Sequence, residues 1–390
     1  MLKKDLINIV LIIILILIIG GVGLKFIPSF PVISDSEGYD VVAQNLIQGK
    51  GFIYNDKPIK ESLSNNFVGY PVFLASIYYL FGHDYQIVKF IQFLLLGGMA
   101  IIVYLMTRKF LDLSPLLALL SSLTLILWPY FIFYPTLIVS ETLFIFFFLL
   151  LIYFLLSFSK KPSLKNSLLV GGLLGIAALV RPVALFLPFW IVFFLLIFLK
   201  PLREKVNLLK LVIVLIVFFA VLSPWGMATH QLNPISNHLL QSIITKAYVR
   251  LDYTEGSQAL KPGETSLKTM ALARLKNIYL FWNPGAEGAN AQTIKETFPI
   301  MGVLFHIYKI FFFIVLALAF WSLKWIRRKK EILILWIVIF YFWSLHIVFW
   351  PYPRYTLPII PLIIVLAWFS LQNIGYKILN RNLNKTEEKT

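Results

Sequence analysis

"MLKKDLINIVLIIILILIIGGVGLKFI", Met1 to Ile27, sets the terms for reading the rest of the chain. Its apolar run is longer than the roughly 7–15 residues of a signal-peptide core, so the segment reads as an uncleaved first membrane span. At about 1.5 Å per residue, a helix of this length crosses a hydrocarbon layer of about 30 Å. Comparable runs recur at about 86–107, 114–133, 141–157, 166–181, 183–199, 209–226, 300–322, 331–350 and 355–372, which makes ten spans with the first. The fifth and sixth are short and meet at Val180-Arg181-Pro182-Val183, so that pair reads equally as a hairpin of lesser depth. Composition agrees, with 59% hydrophobic residues, 14% charged and a mean hydropathy of +0.83. Soluble domains are closer to half apolar and a quarter charged. The expected fold class is therefore an all-α polytopic membrane protein of about ten transmembrane helices, forming a single transmembrane domain over 1–390.

The net charge of +17 invites a nucleic-acid reading, but its placement argues against one. With the N-terminus in the cytoplasm, alternate loops collect Lys3, Lys4, Arg108, Lys109, Lys160, Lys161 and the Arg327–Lys330 cluster on one side. That side then holds more than half of the basic residues and a third of the acidic ones. Lys/Arg excess in short loops marks the cytoplasmic face and draws anionic lipid. The expected partners are thus membrane lipids and not nucleic acid, with both termini cytoplasmic. Two long loops, 28–85 and 227–299, fall on the outer face and carry helix-like amphipathic stretches. Chemistry is expected there, in the cell membrane's outer half. With no cysteine, disulfides and thiolate chemistry are excluded.

The first of these loops opens with "ISDSEGYDVVAQNLIQGKGF", Ile33 to Phe52. Ser34-x-x-Glu37 is a capping box, and Tyr39, Val42, Ala43, Leu46 and Ile47 follow at the spacing of a one-faced helix ending near Gly49. At about 100° per residue, Asp35 lies roughly 40° from the centre of that apolar stripe, whereas Asp40 and Glu37 lie roughly 100° and 160° away and are expected to face water. A carboxylate turned toward a protein–membrane cleft is costly unless paired or employed. Asp35 is therefore the candidate functional acid of this stretch, with complementing the helix N-terminus as its alternative role. An Asp35-x-Glu37 metal pair would need an extended turn, so no metal site is predicted.

Three further groups arrive at the same face. Glu141 opens the fourth span in "VSETLF", where it could equally complement the helix start. Arg181 interrupts "ALVRPVALFLP" at bilayer depth, where a charge is functional by default or reaches to the headgroups. Arg354 sits in "YPRYTLPIIP" between aromatics and prolines, the setting of a binding group or of an interfacial anchor. Guanidinium forks suit phosphate recognition. The second loop adds Lys246, Arg250, Arg274, Lys276 and Trp282 on helix-like segments that read as a substrate lid, and Gly171 with Gly175 as a helix-packing pair.

Taken in order, "SDSEGYDVVAQNLIQGKGF", "GYPVFLASIYYLFG", "VSETLF", "ALVRPVALFLP", "LSPWGMATH" and "YPRYTLPIIP" resemble the GT-C membrane glycosyltransferases, in the branch of protein O-mannosyltransferases and lipid A aminoarabinose transferases. The resemblance implies a sugar donor carried on a polyprenyl phosphate, an acceptor lipid, glycan or protein outside the cytoplasm, and a first-loop aspartate at the centre of catalysis. Asp35 matches that aspartate. Glu141, Arg181 and Arg354 match its acidic, Arg-Pro and RY-x-x-P positions, and Tyr39 joins them as a substrate-binding candidate. Relatives often carry Arg-Asn after the seventh-span Pro-Trp, where this chain reads "GMATHQLN". No cofactor is required by this chemistry. The competing class is a transporter or flippase of a lipid-linked sugar, which would be expected to show inverted repeats and midplane sites.

Overall fold

The computed structural model describes residues 3–26, 35–54, 57–58, 68–198, 204–228, 267–282, 300–348 and 353–387. In chain order the helices are α1 (Lys3–Phe26), α2 (Asp35–Ile47), α3 (Gly69–Phe81), α4 (Tyr85–Phe110), α5 (Pro115–Ile126), α6 (Pro129–Phe133), α7 (Glu141–Lys160) and α8 (Leu164–Val180). They continue as α9 (Leu187–Phe198), α10 (Lys205–Ala228), α11 (Leu267–Trp282), α12 (Ile300–Trp321), α13 (Lys330–Val348) and α14 (Ile360–Glu387). A two-residue antiparallel hairpin, β1 (Ile53–Tyr54) with β2 (Lys57–Pro58), follows α2. Polar side chains start several helices. The Asp84 carboxylate accepts from the Gln86 N–H at 2.7 Å, Ser114 caps α5 ahead of Pro115, and Ser163 caps α8.

Among the described residues seven helices are long and apolar enough to cross a membrane, and an eighth forms if the bent α5–α6 pair counts as one. Among the ten expected spans the third is broken, and the fifth and sixth are short, as their sequence suggested. The third breaks by 63° between α5 and the segment 129–136, where Pro129 cannot donate to the preceding turn. The fifth and sixth are the shorter apolar helices α8 and 182–198, separated where Arg181 goes extended before Pro182. The first long loop, in turn, contains the apolar helix α3.

Small residues bring the helices close. A Cβ on Gly171 would lie 2.5 Å from the Val214 carbonyl, and one on Gly175 would lie 2.6 Å from the Val221 Cβ, so α8 packs directly on α10 as the glycine pair predicts. Gly69 does the same for the start of α3, which meets the last turn of α8 at Val180. α1 buries Ile12, Ile16, Gly20 and Gly23 while exposing Ile7, Val10, Ile14 and Leu17. An apolar outer face of this kind suits lipid contact.

At the Lys-rich end the charges are stitched into pairs. Asp5 accepts from Arg108 Nε at 2.8 Å and from the Tyr104 hydroxyl at 2.7 Å, tying α1 to α4. Lys160 pairs with Glu331 at 3.2 Å and Lys329 pairs with Asp112. Gln372 bridges α14 to the turn before α5 through the Ser114 N–H and the Asp112 carbonyl.

Candidate active site

Four separate elements deliver charge to the opposite end. Glu141 is the first residue of α7, and Arg181 is the extended residue that ends α8. Arg354 lies in the 3-10 turn Pro353–Ile359, and Asp35 begins α2. The side chains form one chain of contacts. Arg181 Nη1 is 2.8 Å from Glu141 Oε1 and donates to Ser140 Oγ at 3.3 Å. Arg354 Nη1 is 3.9 Å from the same Glu141 oxygen, and its Nη2 is 4.0 Å from Asp35 Oδ2.

Exposure rises along this chain. The Glu141 side chain is 7% exposed and Arg181 16%, while Arg354 and Asp35 are 39% and 47% exposed. The inner pair is a hydrogen-bonded ion pair. The outer contacts are ion pairs without that short geometry, both made by the half-exposed Arg354 side chain. Arg181 therefore turns inward to Glu141 instead of reaching for headgroups. Asp35 departs from the inward orientation expected of it. Its angular position is toward the buried side of α2, but as the first helical residue it sits at the rim, half exposed.

Asp40 is the larger correction, because it is buried and does not face water. Its Oδ1 accepts from the Tyr78 hydroxyl at 2.6 Å and lies 2.9 Å from His83 Nε2, while its Oδ2 accepts from Gln44 at 2.8 Å and Tyr85 at 2.9 Å. With both oxygens satisfied, burying the charge is no longer prohibitive. Glu37 is exposed, as expected. Ser34 of the capping box lies outside the described residues, as do His230, Lys246 and Arg250, and nothing is described of the Lys276 side chain. Arg274 and Trp282 are on α11, whose Asn277 donates to the Ile347 carbonyl at the end of α13.

Tyr39 packs edge-on against Tyr70 at 5.0 Å and stands beside Arg181, Glu141 and Ser140. Burial pushes its phenol above the usual value against the opposing pull of Arg181, which leaves it a hydrogen-bond donor at neutral pH. The Tyr70 hydroxyl donates to Gln92 Oε1, and Gln92 Nε2 donates to the carbonyls of Pro135 and Leu137, just before Glu141. Gln92 thus fixes the approach to α7 from within α4. The sequence reading missed it, although a glutamine inside an apolar span is a signal of buried bonding. Beside this assembly, Tyr130, Tyr134, Thr142, Ile145 and Leu357 line a small apolar cavity. Asp35 and Glu37 both lie within α2, so their side chains diverge, and no group of three or more metal-ligating acids or histidines occurs among the described residues.

A model of the dolichyl-phosphate-mannose-protein mannosyltransferase family matches residues 68–225, a stretch that contains Glu141 and Arg181. ArnT from Cupriavidus metallidurans, solved with undecaprenyl phosphate, superimposes with a TM-score of 0.63 at 15% identity, covering 93% of this chain and 60% of that one. The chain shares the fold of that structure. ArnT in the apo state gives a TM-score of 0.58 at 14% identity, over 95% of this chain and 62% of that one. The archaeal oligosaccharyltransferase AglB from Archaeoglobus fulgidus, solved with an inhibitory peptide and a dolichol-phosphate, gives 0.55 at 14% identity over 97% of this chain and 52% of that one. The chain therefore spans about three fifths or less of the length of these structures. No curated protein matches it in sequence.

Proposed function

We propose that this protein transfers a sugar from a polyprenyl-phosphate carrier to an acceptor on the extracytoplasmic side of the membrane, with inversion at the anomeric carbon. One observation carries the reading. Asp35, Arg354, Glu141 and Arg181, from four distant parts of the sequence, are linked by contacts of 4.0 Å or less at the end of the bundle away from the Lys-rich turns. The ligands bound in ArnT and AglB, undecaprenyl phosphate and a dolichol-phosphate, support the choice of a lipid phosphate. The basic turns at the opposite end support an outward-facing site.

In this mechanism Asp35 accepts the proton of the acceptor hydroxyl or amine as that atom bonds to the anomeric carbon. The bond from that carbon to the phosphate oxygen breaks, and its electron pair leaves with the lipid phosphate. Arg354, the more open guanidinium, meets the developing charge. Arg181 adds positive potential from its place on Glu141, and Tyr39 offers a hydroxyl to the sugar or phosphate. A positioned base contributes about 10²–10⁴ in rate, and pre-aimed donors act strongly where water is scarce.

The test uses purified protein in liposomes with polyprenyl-phosphate sugars and candidate acceptors, guided by glycan mass spectrometry of envelopes with and without the gene. Transfer by the wild type and its loss in Asp35→Asn, at equal protein amount, is the expected result. Near-wild-type turnover by Asp35→Asn overturns the base assignment, and movement of the lipid-linked sugar across the bilayer without transfer overturns the enzyme reading.

A further inference from the structure

A carboxylate has about four acceptor positions, and the four donors around Asp40 fill them, two on each oxygen. Nothing is left over for a substrate, so this buried acid is neither a base nor a ligand site. Its donors come from three places: Tyr78 on α3, His83 in the turn after it, and Tyr85 at the start of α4, with Gln44 one turn along α2 itself. The rings reinforce this arrangement, with His83 edge-on to Tyr78 at 4.6 Å and to Tyr85 at 4.9 Å. The other contacts of α2 include the buried Val42 and Ala43, the Tyr39–Tyr70 edge, Tyr39 beside Ser140, and the Asn45 amide donating to the Ile53 carbonyl of the hairpin. Apolar contacts tolerate small rotations of a helix, whereas hydrogen bonds weaken steeply off line.

We infer that Asp40 is a positioning residue: its four hydrogen bonds fix the rotation of α2 and so hold Asp35, five residues earlier on the same helix, against Arg354. The inference rests on the sugar-transfer reading for its consequence, though not for its geometry. A carboxylate about 6 Å from a helix axis moves by about 1 Å for each 10° of helix rotation. A 1 Å displacement near a reacting centre can cost about 10²-fold in rate. The node that aims the catalytic acid is thus a second acid one and a half turns away, sealed from solvent by tyrosines.

The chain contains no cysteine, so two labels can be placed cleanly. Nitroxides on Glu37→Cys of α2 and on Leu127→Cys at the exposed bend between α5 and α6 report the α2 position by pulsed electron paramagnetic resonance. Asp40→Asn, which turns an amide N–H toward two of the donors, is expected to shift or broaden that distance distribution. It should lower kcat for transfer about 10–100-fold with donor KM held within about threefold. Tyr85→Phe, which deletes one hydroxyl and keeps the ring, guards against a folding failure and should give a smaller shift and loss. In an Asp35→Asn background, Asp40→Asn should change residual turnover by less than about twofold, because the positioned group is already gone. An unchanged distance distribution in both variants overturns the inference, as does a full additional loss in the Asp35→Asn background. If Asp35→Asn alone transfers normally while the distances still move, the assignment of Asp35 as the base falls and the anchoring of α2 stands.

Discussion

The two ends of the bundle use the same residue types to opposite effect. At the Lys-rich end, Asp5 is held by Arg108 at 2.8 Å and by Tyr104, with Asn8 donating to that tyrosine's hydroxyl at 3.1 Å and to the Pro115 carbonyl at 3.0 Å. Asp5, Asp112 and Glu331 are each tied into short contacts of their own. At the other end, Glu141 serves two guanidiniums, one at 2.8 Å and one at 3.9 Å, and Arg354 stands between two carboxylates without a short bond to either. Closed pairs fasten helices. A graded array, tight inside and wide at the rim, leaves a cation able to exchange an internal partner for an incoming anion. The contrast between these ends separates fastening from function more clearly than charge counts do.

Four substitutions would break or sharpen that contrast. Arg354→Ala should lower kcat for transfer by about 10²–10³, the cost of one donor aimed at developing charge, with thermal unfolding in detergent little changed. Loss of stability with unaltered turnover would put Arg354 on the fastening side. Arg108→Ala should do the reverse. It strands the buried Asp5 and should cost about 2–3 kcal/mol, read as a lowered Tm, while turnover per folded molecule stays at the wild-type level. Gly175→Leu tests packing between the ends. Its Cβ would already meet Val221, so α8 must separate from α10, at about 1–3 kcal/mol, with the amount of folded protein as the measurement. Lys329→Ala should be the mildest, below about 1 kcal/mol in the same melting assay, because its partner Asp112 is largely exposed.

Much of this arrangement was legible in the sequence, for a physical reason. A membrane span must bury its backbone polarity within itself, so hydropathy alone reports α1, α4, α7, α10, α12, α13 and α14. The convergence of Glu141, Arg181 and Arg354 was also readable, because isolated charges in apolar stretches need partners or tasks. What stayed hidden depended on tertiary contact. Helical phase placed Asp40 toward water, since no periodicity reports that two tyrosines and a histidine from elsewhere would enclose it. The same phase pointed Asp35 inward without showing that the helix begins there and leaves it at a rim. The bend at Pro129 and the apolar helix α3 within the first loop were missed because each is shorter than a span. Gln92, which sets the approach to Glu141, was missed because nothing in its own span marks which carbonyls it will meet.

The most direct test is to locate the phosphorus atom by cryo-electron microscopy of the protein loaded with undecaprenyl phosphate. The phosphate should lie about 2.7–2.9 Å from an Arg354 nitrogen, with Asp35 beside the position that an attached sugar would occupy. A phosphate seated among the lysines at the other end, or one out of reach of Arg354, would contradict the assignment of this end as the site of transfer.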